Sequence, residues 1–239
     1  MNAKTTPKSA QMNPGPGFRV RLDFKRPDPE IVEQYRQFET PDISDMLNRM
    51  YALHTGIRNM SNNDSICGPA CTVKVFPGDN LMVHKVLDVA KPGDVVVIDA
   101  GGTKSNAVLG DLISRKAKHR GIAAFVIDGL IRDLPDVRGV GLPVFARGET
   151  PIGPLHRGPG EINYPISCGG IVVNPGDIVV GDCSGIVVVR QEFAEATLEK
   201  LYVQQKALES YVEGVKRGEF SNQWVDDYLE SVGCVITDN

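Results

Sequence analysis

The stretch from residue 94 to residue 127 constrains this chain more than any other. DVVVIDA, residues 94–100, is a continuous apolar, β-branched run of the kind that forms a strand covered on both faces. GGTKSN follows as a flexible turn. A helix is then predicted over roughly residues 107–119, with Leu109, Leu112, Ile113 and Ala117 on one face and Arg115, Lys116 and Lys118 mostly off it. Gly121 ends the helix, and AAFVI, residues 123–127, supplies a second buried strand. Strand, helix, strand at this spacing is a βαβ unit, two parallel strands joined by a right-handed crossover.

The chain leaves the second strand as IDGLIRD, residues 127–133. The helix advances about 13 Å at roughly 1.5 Å per residue. The strand returns about 17–20 Å at roughly 3.3 Å per residue. Arg132 and Asp133 therefore emerge at the same sheet edge as Asp111, the edge where open α/β sheets bind ligands. Free backbone N–H groups of the helix's first turn, Gly110, Asp111, Leu112 and Ile113, favour an anion there, and Gly110 lets it approach the backbone closely. Arg132 offers a forked donor to a carboxylate or carbonyl oxygen. Asp111 and Asp133 could hold a hard divalent ion directly or through its waters, as Mg²⁺ prefers. The alternative is a surface Arg132–Asp133 pair worth about 0–1 kcal/mol, with Asp111 as a helix N-terminal charge. Spacing alone leaves both readings open.

Around this centre, residues 1–28 read as a flexible N-terminal arm rich in Lys, Pro, Asn and Gly. PEIVEQYRQF and PDISDMLNRM read as helices, the second with Thr40 as N-cap and Pro41 at the first helical position. CTVKVF, residues 71–76, reads as a strand, and residues 79–90 as a helix stopped by Lys91, Pro92 and Gly93. PVFARG, GGIVV, DIVVGD and GIVVV, between residues 143 and 190, suggest β-hairpins or a small glycine-rich, barrel-like sheet. One long helix is expected from Glu192 to about Lys216, then a short terminal helix around Trp224.

A net charge of −4 leaves no electrostatic footprint for nucleic acid. With no long apolar span and no apolar leader, a cytoplasmic protein without membrane contact is expected. The five cysteines are expected to be reduced and mostly buried, since CGPAC (Cys67, Cys71) has no matching second pair for zinc. His54, His84, His119 and His156 show no ligand spacing and are read as surface or packing residues.

The run GDLISRKAKHRGIAAFVIDGLIRD resembles the core of the RraA-like family, which includes the class II 4-hydroxy-4-methyl-2-oxoglutarate/4-carboxy-4-hydroxy-2-oxoadipate aldolases. Its signature is an aspartate, twenty residues, then Arg-Asp, met here by Asp111 and Arg132–Asp133. TPDISDML, CGPACTVKV, KPGDVVVIDAGG and ISCGGIVVNPGDIVVGDCSGIVVV extend the resemblance over roughly residues 38–219. It implies an α/β fold of the swivelling β/β/α kind over residues 29–218, a C-terminal extension over 219–239, and assembly as a homotrimer or homohexamer. It also implies that backbone at Gly110 to Ile113 holds the pyruvyl end of a 2-keto acid substrate, with Arg132 on the keto oxygen. Asp133 would ligate Mg²⁺ or Mn²⁺, and Asp111 would hold metal-bound water. A glutamate from a neighbouring subunit, Glu199, Glu209 or Glu213 here, would assist. The implied activity is metal-dependent aldol cleavage to pyruvate through a metal-stabilised enolate, with oxaloacetate decarboxylation as a side reaction. Family members that regulate ribonuclease E lack parts of this triad, so a noncatalytic protein-binding regulator is the competing expectation.

Overall fold

A computed structural model describes residues 9, 11–61 and 65–237. By contact it divides into two compact units, Met1–Leu198 and Glu199–Asn239, so the division falls inside a helix and not at the expected 218/219 boundary. The strands are β1 (Phe18–Val20), β2 (Arg58–Asn59), β3 (Ile66–Val75), β4 (Val95–Asp99), β5 (Ala107–Leu109), β6 (Ala124–Asp128), β7 (Leu130–Ile131), β8 (Val144–Ala146), β9 (Gly148–Glu149), β10 (Gly160–Ile162), β11 (Ile166–Cys168), β12 (Ile171–Val173), β13 (Ile178–Asp182) and β14 (Gly185–Val189). The helices are α1 (Pro29–Tyr35), α2 (Thr40–Met46), α3 (Leu81–Val86), α4 (Asp111–His119), α5 (Leu134–Val140), α6 (Ala194–Lys216) and α7 (Gln223–Ser231).

The main sheet runs β1-β10-β3-β4-β6-β8-β2, with β3, β4, β6 and β8 parallel to one another, β10 antiparallel to β3 and β2 antiparallel to β8. Alternation along its central strands decides what lies on each side. Val96 and Ile98 of β4, with Phe125 and Ile127 of β6, pack in one apolar cluster with Met82 and Val86 of α3, Ile113 and Ala117 of α4, and Val137 of α5. Val95 and Val97, with Ala124 and Val126, pack instead with Ile166, Val173, Val179 and Val188 of the glycine-rich strands. The result is three layers: helices, a central sheet, and a second β layer made by the β11–β12 and β13–β14 hairpins. The continuous apolar strands read in the sequence are thus buried on both faces.

Long β3 ties the layers together. Residues Ile66 to Pro69 pair with β13, Ala70 to Lys74 pair with β4, and Val73 to Val75 pair with β10. Cys67 and Cys71 both lie in this strand, where burial pushes each thiol up to about 12 and keeps it protonated.

Four expectations need correction. PVFARG does not belong to the small β layer, because β8 extends the main sheet beside β6. Residues 18–28 are not a free arm: β1 pairs with β10, and Arg26 Nη2 binds Asp94 at 2.7 Å. The rest of that expected arm, residues 1–8 and 10, lies outside the described residues. Helix α3 covers only Leu81–Val86 of the helix expected over residues 79–90. Thr40 is the first residue of α2 and Glu39 its N-cap; the Asp182 carboxylate accepts from both Thr40 N (2.8 Å) and Thr40 Oγ1 (2.7 Å), doing the capping from another strand.

At α1, Asp28 Oδ1 accepts from Glu30 N at 2.8 Å, an N-cap made by the chain itself. Asp28→Ala is expected to lower folding stability by about 1 kcal/mol, read from urea unfolding. The second unit holds the remainder of α6 and α7, with Trp224 and Tyr228 exposed on the latter and Val232 exposed at its C-cap. No helix among the described residues is long and apolar enough to cross a membrane.

Candidate active site

The residues 107–119, expected as one helix, divide into β5, a single connecting residue at Gly110, and α4. Valine and leucine at 108 and 109 are drawn into a second, three-stranded parallel sheet of order β5-β7-β9. This small sheet brings the candidate residues together. Leu109 is registered with Ile131, and Arg132 N donates to Leu109 O at 3.0 Å. The two chain segments therefore leave the sheet side by side, one as Gly110–Asp111 and the other as Arg132–Asp133.

Gly110 stands at the N-cap of α4 and has no side chain to cap it, so the helix's first amides lack a side-chain acceptor. A Cβ at Gly110 would fall inside contact distance of Asp133 Oδ2 and lie 3.1 Å from Arg132 Cγ. A side chain at this position fits between the helix start and the Arg132–Asp133 pair only if the Asp133 carboxylate moves.

Asp133 occupies the left-handed region (φ 56°, ψ 39°) at the N-cap of α5, a helix the sequence reading missed. Aspartate is well suited to cap a helix, yet this carboxylate makes no bond to the amides of α5. It turns instead to Arg132 Nε at 3.2 Å. Asp111 pairs with Arg115 Nε one turn along α4, at 3.1 Å. The Arg132–Asp133 ion pair forms, half exposed, and both residues line a cavity.

That cavity is a cleft of about 220 Å³ lined by Leu109 to Ile113, Arg132 and Asp133, and also by Asn80, His84, Pro154 and His156. The expected substrate-binding residues Gly110, Asp111, Leu112, Ile113 and Arg132 and the expected metal ligand Asp133 all line it. Ile113 is buried in the core cluster beneath and Leu112 is exposed, so these two differ in what they offer: a backbone amide from the first, an apolar side chain from the second. The sequence reading left out Asn80, His84, Pro154 and His156. Sequence alone reads His84 and His156 as surface or packing residues, because nothing in their spacing links residue 84 to residue 156. The glycine- and proline-rich run over 151–159 was the available signal, since loops held on a rigid sheet often carry function.

A larger cleft of about 470 Å³, lined by Thr40, Ser44, Arg58, Asp182 and Ser184 among others, offers less chemistry. Its carboxylate, Asp182, already accepts from Thr40 and from Ser184 N at 2.7 Å.

The first amides of α4, a guanidinium and two carboxylates thus gather in one cleft at the carboxyl ends of parallel strands of an α/β protein. Residues 40–188 match the family described as RraA-like, Aldolase/RraA. The chain belongs to this RraA-like family. It is 43% identical over 171 residues to a Halalkalibacterium halodurans protein provisionally named 4-hydroxy-4-methyl-2-oxoglutarate aldolase, covering 72% of this chain and 81% of that one. An Azotobacter vinelandii protein with the same provisional name is 33% identical, covering 65% of this chain and 96% of that one. Among solved structures, Streptomyces coelicolor RraAS2, described as an unusual member of the RNase ES inhibitor RraA family, superposes with a TM-score of 0.71. It is 29% identical, with 79% of this chain and 99% of that chain covered. The RNA-processing inhibitor RraA from Thermus thermophilis gives a TM-score of 0.60 at 31% identity, covering 64% of this chain and 92% of that one.

Proposed function

We propose that the protein is a divalent-metal-dependent lyase that cleaves a 4-hydroxy-2-keto diacid of the 4-hydroxy-4-methyl-2-oxoglutarate type to pyruvate, and that it also decarboxylates oxaloacetate. The observation that carries this reading is the meeting of α4's first amides, Arg132, Asp111 and Asp133 in one cleft. The names of the relatives fit the same chemistry.

The donor set suits a hard ion. Among the described residues no group of three or more His, Cys, Asp or Glu side chains is gathered to enclose a metal. A closed zinc-type site is therefore not the pattern. Asp133, with Asp111 acting through water, suits Mg²⁺ or Mn²⁺, ions that keep several positions for water and substrate oxygens. Gly110 supports this assignment, since its missing side chain leaves room for the Asp133 carboxylate in the cleft. Bound there, such an ion would supply Lewis acidity toward the oxygens of a 2-keto acid.

The chain's own groups then have distinct tasks. The amides at the start of α4 receive the substrate carboxylate. Arg132 donates to the 2-keto oxygen and stabilises the negative charge that grows on it as the C3–C4 bond breaks. Asp133 holds the guanidinium in place through its 3.2 Å contact. Asp111 orients water at the cleft's edge.

The test is pyruvate release from 4-hydroxy-4-methyl-2-oxoglutarate and from oxaloacetate, each with Mg²⁺ and with EDTA. Turnover is expected only with the metal present, and is expected to return when Mg²⁺ is restored. Turnover that survives chelation would sink the mechanism. The likeness to RNase inhibitors favours a second reading, a noncatalytic regulator that binds ribonuclease E. Retention of ribonuclease E on the immobilised protein, with no pyruvate released from either acid, would select it. On the lyase reading the working assembly is a homotrimer or homohexamer, and sedimentation would report its size.

A further inference from the structure

Two imidazoles line the cleft and have no task in the reading above. His156 Nδ1 lies 2.6 Å from Asn80 Oδ1, and His84 meets His156 edge-on with ring centroids 5.2 Å apart. Asn80 is only 2% exposed, and its Nδ2 donates to Val108 O at 2.8 Å. A carbonyl oxygen can only accept, so that end of the amide is its NH₂ end, and the end facing His156 is oxygen. Amide oxygen also only accepts. His156 Nδ1 therefore carries the hydrogen, and in the neutral ring Nε2 keeps a free lone pair.

The loop that carries His156 is fixed from several directions. Asn80 N donates to Leu155 O at 2.9 Å, and Leu155 N donates to Gly78 O at 2.8 Å. Buried Asp79 accepts from Arg157 N at 2.6 Å and from Leu81 N at 2.8 Å. Asn80 stands at the N-cap of α3 but makes no side-chain cap there; its amide is engaged in orienting the imidazole. Burial, then His156, then Lys116 lower the pKa of His84, so the ring beside His156 is neutral near pH 7.

We propose that His156 is the proton-transfer residue of this site, with Asn80 as the positioning residue that fixes its tautomer; the assignment rests on the lyase reading. Nε2 takes the proton from the substrate's C4 hydroxyl. The O–H electron pair becomes the second bond of a C4 carbonyl, and the C3–C4 bond breaks with its electron pair passing toward the C2 keto oxygen as an enolate. The imidazolium then returns its proton to C3. One 4-hydroxy-2-keto acid yields pyruvate and a second carbonyl compound, the imidazole is regenerated, and no oxidant or reductant enters.

Two measurements on the full chain test this. In the metal-free protein, ¹⁵N–¹H correlation spectra are expected to show His156 as the Nδ1–H tautomer, and Asn80→Leu is expected to lose that state. In the Mg²⁺-loaded protein, His156→Phe is expected to lower kcat for 4-hydroxy-4-methyl-2-oxoglutarate cleavage about 100-fold, with KM changed less than about threefold. Oxaloacetate decarboxylation has no hydroxyl proton to remove before its C–C bond breaks, so its rate is expected to fall at least about tenfold less. An Nε2–H tautomer overturns the assignment, as does a kcat within about threefold of the parent, or an equal loss of both reactions. If the unmodified protein turns over neither acid, the lyase reading falls and takes this assignment with it. If it is active and His156→Phe is equally active, only the assignment falls.

Discussion

Arg132→Ala is expected to lower pyruvate release from 4-hydroxy-4-methyl-2-oxoglutarate by about 100- to 1,000-fold, the range for losing one preorganised donor at a developing oxyanion. The loss belongs in kcat more than in KM, because the guanidinium acts most strongly where charge appears in the transition state. Folding stability should barely change. The pair with Asp133 is half exposed on both sides, and such pairs contribute about 0–1 kcal/mol. Arg132→Lys should recover only part of the rate, since an ammonium lacks the fork that meets two oxygens at once. Paired kinetics and urea melts would check both halves, and an Arg132→Ala protein with undiminished kcat would remove this residue from the chemistry.

Gly110→Ala is expected to be nearly as damaging, by at least about 100-fold, although it adds only one methyl group. Small displacements of a reacting geometry carry penalties of that order. Backbone strain is not the cause, because Gly110 is extended (φ −142°) and alanine adopts that readily. The cause is steric. The new Cβ would overlap Asp133 Oδ2 and press on Arg132 Cγ at 3.1 Å, so the carboxylate must swing out of the cleft. The signature is a weaker requirement-site for Mg²⁺, read as a raised half-saturating concentration together with the lower kcat, while the melting transition stays close to the parent. Unaltered Mg²⁺ dependence in Gly110→Ala would show that Asp133 is not where the ion is held.

The sequence made the βαβ unit legible because its signal is local: two apolar β-branched runs either side of an amphipathic stretch. Asp111, Arg132 and Asp133 followed from counting along that unit, and the structure places all three on one cleft. The start of α4 was harder to read. Val108 and Leu109 carry helix-compatible side chains, and only pairing with Leu130 and Ile131, some twenty residues away, makes them strand. The same limit hid α5, where Pro135 at its start was the available clue. Thr40 fits an N-cap in isolation, and a distant carboxylate at Asp182 displaced it from that role. Asn80 and His156 were the least accessible, because their relation depends on a loop crossing between residues 76 apart in the chain.

The cleft's lining comes from three separate stretches of chain: residues 109–133 supply the amides, the guanidinium and the carboxylates, while Asn80 and His84 come from a second and Pro154 and His156 from a third. The 151–159 loop is coupled to the ribbon that carries Arg132: Ala107 N donates to Ile152 O at 2.8 Å, and a Cβ at Gly153 would come within 2.7 Å of Arg132 Nη1, so a substitution there reaches the guanidinium as well.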